Sequence, residues 1–108
     1  MTPIPAVVVL VTAPSQAVAE QIVTTIVEER LAACGNIVPG LTSIYRWQEA
    51  VERAEELLIL FKTTRAMAPR VMARIEALHP YEVPEALVLP VDAGLVPYLA
   101  WVTANSNG

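Results

Sequence analysis

The order of elements legible along the chain predicts an α+β domain. It reads as a ferredoxin-like β-α-β-β-α-β sandwich with an extra C-terminal helix. Three observations carry that reading. Apolar residues recur at helical spacing over 15–30 and again over 71–78. Runs of strand composition occupy 6–11, 36–47, 51–63 and 85–91. Nine prolines and four glycines punctuate these segments rather than marking a disordered chain.

The first strand, Ala6 to Val11, is a continuous apolar run, as expected of a strand covered on both faces. Ala13-Pro14-Ser15 turns the chain into a helix from Ser15 to Arg30, with Ser15 a possible cap. Its apolar stripe is Val18, Ala19, Ile22, Val23, Ile26 and Val27, and Glu20, Gln21, Glu28, Glu29 and Arg30 suit an exposed face. Leu31 to Gly35 carries the chain into a long strand, Asn36 to Trp47, which Pro39-Gly40 must bulge or bend. Twelve residues at about 3.3 Å each reach roughly 40 Å. That exceeds one small sheet, so the far end should project and pair with the next strand.

Gln48 to Ala50 connects to the returning strand, Val51 to Thr63. Period-two parity sets Glu56, Leu58, Leu60 and Lys62 on one face, and Leu57, Ile59 and Phe61 on the other. Thr63 or Thr64 can cap a second helix, which has Pro69 in its first turn and a stripe of Val71, Met72, Ile75 and Leu78. Pro80 stops it. Glu85 to Val91 is the fourth strand, Asp92-Ala93-Gly94 a turn, and Val96 to Thr103 a last short helix. Residues from about 104 to 108 have nothing to bury and should be loose.

The chain of 108 residues is one domain. It is 55% hydrophobic and 17% charged, which is apolar for its size. Some of that surface is expected between subunits. The net charge is −4 and the seven cationic residues are scattered, which argues against nucleic-acid binding. Cys34 is the only cysteine, so no intrachain disulfide forms, which fits a reducing compartment. Met1 to Val11 lacks a basic leader region and is too short to span a bilayer. A cytoplasmic protein with no membrane segment is the expectation.

The segment His79-Pro80-Tyr81-Glu82-Val83-Pro84-Glu85 packs the one histidine, two carboxylates and a phenol into a stiff connector. His79 serves either as a ligand or as a cap on the helix end before it. Cys34 is either a soft metal donor or a small buried residue, and local sequence favours the second. Glu82 and Glu85 either hold a cation or stay solvated or paired with Arg65, Arg70 or Arg74, the second reading leading. Lys62 either reaches an anionic ligand or pairs with Glu56, the ion pair being the default. Tyr45, Trp47, Tyr81, Tyr98 and Trp101 suit subunit contacts better than a stacking box. No phosphate loop, nucleophile elbow, zinc-protease motif or catalytic triad is present, so an enzyme is not expected.

RLAACGNI, PGLTSIYRW, EELLILFKT, HPYEVPE and PVDAGLVPYLAWV, in that order, resemble the CutA divalent-ion tolerance proteins from Ala6 to Val102. The resemblance implies a homotrimer similar in architecture to the PII signalling proteins. It also implies a role in tolerance of divalent ions, copper above all, with polar residues lining clefts between subunits. Carried over residue by residue, it implies Cys34, His79 and Glu82 as metal donors. It implies Tyr45, Trp47, Lys62, Tyr81, Glu85, Tyr98 and Trp101 as cleft residues. Two positions depart from the family pattern: Glu49 where a hairpin glycine is usual, and Leu95 where a polar residue is common. The first bears on the hairpin turn and the second on any polar contact there. Two other readings stand beside metal binding: a PII-like sensor holding a small anion through Lys62, and a scaffold without ligand.

Overall fold

A computed structural model describes residues 4–108. The part of the leader reading that rests on residues 1–3 lies outside the described residues. The elements run β1 (Ala6–Ala13), α1 (Gln16–Glu28), β2 (Cys34–Trp47), β3 (Ala50–Thr64), α2 (Ala68–Leu78), β4 (Ala86–Pro90) and α3 (Val96–Ala104). The four strands form one antiparallel sheet in the order β2-β3-β1-β4. The expected α+β, ferredoxin-like arrangement is the one observed.

The helices α1 and α2 cover one face. Alternation along β1 buries Val7, Val9, Val11 and Ala13, and the last three meet Ile59 and Phe61 of β3, Ile22 and Ile26 of α1, and Val71 and Ile75 of α2. Val8, Leu10 and Thr12 point the other way and are only half-buried. The expectation that both faces of β1 are covered is thus corrected within the protomer. One end of the second face is covered by α3, whose Val102 packs with Ala6 and Ala33. Leu87 and Leu89 of β4 lie beyond that cover, 55% and 43% exposed.

The long hairpin follows from the register. β1 pairs with β3 no further than Ala13 opposite Leu57, whereas β2 follows β3 out to Trp47 opposite Ala50. Residues 50–56 therefore pair only with β2 and form a two-stranded arm of about 20 Å. The ladder is irregular between Val38 and Leu41, where Gly40 has φ 82°, as the Pro39-Gly40 pair predicts. At the tip, Gln48 and Glu49 have φ 49° and 68°, a two-residue turn of the type that joins twisted strands. The turn geometry that suits glycine is kept, with Glu49 forced into the left-handed region.

Three local expectations are corrected. First, α1 ends at Glu28, not Arg30, because Arg30 turns left-handed at φ 60°. The amides of Arg30 and Leu31 then close back on the carbonyls of Val27 and Ile26, a helix-ending pattern usually built on glycine. Second, neither threonine caps α2. Thr64 Oγ1 instead accepts from the Met67 amide at 3.2 Å in the turn before the helix, and Thr63 Oγ1 donates to the Leu31 carbonyl at 2.6 Å. Third, the C-terminal tail is tied down. Arg30 donates to Asn107 Oδ1 at 2.8 Å and to the Ala104 carbonyl, its own carbonyl accepts from Gly108, and Ser106 is buried. Ser15 does cap α1, accepting from Val18 at 3.2 Å.

Candidate functional site

The connector after α2 takes its shape from its prolines. His79 caps the helix: its amide donates to the Ile75 carbonyl at 2.8 Å, and its backbone is extended, as Pro80 requires of the residue before it. The chain then folds so that the His79 and Tyr81 rings lie 4.6 Å apart. His79 is 7% exposed and reaches across to β1, where Nε2 lies 2.7 Å from the Thr12 carbonyl oxygen. The Tyr81 amide donates to His79 Nδ1 at 3.2 Å. The Tyr81 hydroxyl donates to Glu56 Oε2 at 2.7 Å.

These contacts place the connector beside the hairpin arm. Between them lies an open cleft of about 760 Å³, its walls including Tyr45, Trp47, Glu56, Tyr81, Glu82 and Glu85. Glu56 is the buried charge here, 7% exposed. Among the described residues the one ion pair joins Arg74 to Glu29, so Glu56 has no basic partner there. Burial raises the Tyr81 phenol well above the usual tyrosine range. The hydrogen bond to Glu56 adds to this, since a carboxylate disfavours a second negative charge beside it.

The other predicted residues gather at the opposite end of the sheet. Cys34 stands opposite Lys62, which stands opposite Val8 of β1. Thr12, the residue that His79 touches, is four residues further along β1, about 13 Å away. Cys34 Sγ lies 3.7 Å from the Tyr98 hydroxyl, and the Tyr98 ring lies 5.7 Å from that of Trp101. Burial, then the Cys34 thiol, raises the Tyr98 phenol as well. Lys62 donates to Asn36 Oδ1.

The implied metal set is therefore split within a protomer: Cys34 at one end, His79 and Glu82 at the other. Among the described residues no three His, Cys, Asp or Glu side chains are grouped to hold an ion. The expected ion pairs are also redistributed. Lys62 and Glu56 lie six residues apart on β3, about 20 Å. Arg74 binds Glu29 through both carboxylate oxygens at 2.9 and 2.8 Å rather than Glu82 or Glu85, and Arg65 donates to the Ile4 carbonyl. Leu95 leads into α3 with no side-chain cap and is 79% exposed. Glu56 is the residue that local reading undervalued. Its signal was parity: it shares the open face with Leu58, Leu60 and Lys62, just before the apolar run begins.

Comparison with known proteins agrees with the resemblance. A model of the CutA1 divalent ion tolerance protein family matches residues 7–105. The divalent-cation tolerance protein CutA of Thermus thermophilus is 56% identical over 100 residues, covering 93% of this chain and 97% of that protein. Protein CutA of Homo sapiens is 45% identical over 92 residues, 85% of this chain and 51% of that protein, so this chain spans about half its length. The solved structure of the Thermus thermophilus divalent cation tolerance protein superposes with a TM-score of 0.92 at 54% identity. It covers 94% of this chain and 99% of that one.

Proposed function

The chain belongs to the CutA1 divalent ion tolerance protein family, and from that premise we propose that it works by binding a divalent cation, copper among them, as a homotrimer. The cleft beside the hairpin arm is the site we assign. The observation that carries this reading is Glu56. A buried carboxylate without a basic partner is costly unless a cation or further donors satisfy it. Glu82 and Glu85 line the same cleft and add oxygen donors of the kind that suits hard or borderline cations.

Because one protomer groups too few donors, the ion's shell is completed by a neighbouring subunit. The half-bare sheet face and the apolar side chains of the arm, Ile44 at 66% exposed and Val51 at 67%, are the surfaces that subunit would cover. The protein acts by binding rather than catalysis, in the cytoplasm, where its lone Cys34 stays reduced. A PII-like sensor holding an anion through Lys62 has less in its favour. Lys62 is engaged with Asn36 and lies at the far end of β3 from the acidic cleft.

Equilibrium dialysis of the reduced protein against Cu(II) and Zn(II), with mass read by light scattering, tests both halves. Bound ion on a species about three times the 11.7 kDa protomer mass supports the proposal. A monomer, or a trimer that retains no ion, refutes it.

A further inference from the structure

We propose that His79 is a positioning residue of the cleft and not a metal donor: it is locked as one neutral tautomer between Thr12 and Tyr81, and so aims the Tyr81 hydroxyl at Glu56. The proton placement follows from what each neighbour can do. The Tyr81 amide only donates, so the Nδ1 it meets at 3.2 Å is an unprotonated acceptor. The Thr12 carbonyl only accepts, so the Nε2 it meets at 2.7 Å carries the ring proton and donates. A metal binds imidazole through an unprotonated nitrogen. The one such nitrogen here is filled by the Tyr81 amide, and the ring is 7% exposed.

What the lock does is mechanical. Pro80 separates His79 from Tyr81, and it fixes its own φ but not the direction in which the chain leaves it. The Nε2 bond fixes the ring to β1, and the Nδ1 bond fixes the Tyr81 backbone to the ring. The ring contact, 4.6 Å between centroids and tilted by 52°, sets the direction of the phenol. Its hydroxyl then meets Glu56 Oε2 at 2.7 Å, a charge-assisted bond that holds the carboxylate at the cleft wall. The inference rests on the cleft being the cation site only in naming what His79 positions; the tautomer and the two bonds stand apart from it.

This chain holds one histidine, so its ring spectrum is unambiguous. Long-range proton–nitrogen correlation on the full, reduced, nitrogen-15-labelled protein reads the tautomer directly, before and after Zn(II) is added to saturation as followed by calorimetry. The expected result is a ring protonated at Nε2 with Nδ1 unchanged by zinc. A ring protonated at Nδ1, or a ring nitrogen that shifts as a ligand would on zinc addition, overturns the proposal. Calorimetry that finds no zinc binding removes the cation reading, while the tautomer still decides this one. Exchange of the Tyr81 amide gives the second readout. It is slow in the parent and in His79→Asn, whose side-chain oxygen sits where Nδ1 was, and fast in His79→Ala. Equal exchange in both variants contradicts the positioning role.

Discussion

The Tyr81 hydroxyl donates to Glu56 Oε2 at 2.7 Å, and this bond joins the connector after α2 to the strand that builds the hairpin arm. It links a group that burial and a carboxylate keep protonated to a buried carboxylate with no basic partner among the described residues. A phenol whose folded-state pKa is raised adds stability that is complete below the ordinary tyrosine value of about 10 and is lost as pH rises above it. Denaturant unfolding should therefore show stability falling above about pH 10, with Tyr98 contributing in the same sense. Tyr81→Phe should flatten that fall. At neutral pH the same variant should cost about 1–2 kcal/mol, because Glu56 loses its donor. Unchanged stability at both pH values would contradict this.

Gly35 sits where α1 crosses the sheet. A methyl group there would meet Val23 Cγ1 at 2.9 Å and the Phe61 ring at 3.1 Å. Phe61 is fully buried, so it cannot swing away. Gly35→Ala should therefore destabilise by about 1–3 kcal/mol through overpacking. Thermal unfolding measures this, and an unchanged midpoint would show that the helix yields freely.

The hairpin tip should respond in the opposite direction. Glu49 holds φ 68°, a conformation that costs a side-chain-bearing residue about 1 kcal/mol or more. Glu49→Gly should stabilise by roughly 0.5–1 kcal/mol without moving the cleft, because the turn already has the geometry glycine prefers. A loss of stability would show that Glu49 makes a contact worth more than the strain.

Deleting residues 106–108 tests the tail. It removes the Asn107 partner of Arg30 and the Gly108 amide that reaches the Arg30 carbonyl. It also uncovers the site that Ser106 fills. A cost of about 1–2 kcal/mol is expected from the lost bonds. A loose tail would give none.

Much of this architecture was legible because the chain punctuates itself. Apolar stripes at Val18–Val27 and Val71–Leu78, the Pro39-Gly40 bulge and the Pro80 stop each act through neighbours in sequence. The projecting arm followed from strand length alone. What stayed hidden depended on distant partners. Arg30 takes a left-handed turn because the tail ties its side chain and its carbonyl, and no nearby residue announces that. The tail itself read as polar and idle because its partners lie more than seventy residues upstream. For the candidate site, the connector was evident from composition, but its division from Cys34 was not. Only the register, Cys34 opposite Lys62 and His79 on Thr12, sets them at opposite ends of the sheet. Glu56 escaped for the same reason: its significance comes from Tyr81, which reaches it across the fold.

The proposed function puts a divalent cation in this acidic cleft. Titration calorimetry of the reduced protein with Zn(II) and Cu(II), on the parent and on Glu56→Gln, tests it most directly. The variant keeps an oxygen acceptor for Tyr81 and removes the charge together with one oxygen donor. The expected result is saturable binding by the parent that weakens about tenfold or more in the variant, a change of about 1.4 kcal/mol or more. Equal binding by both proteins, or no binding by the parent, would contradict it.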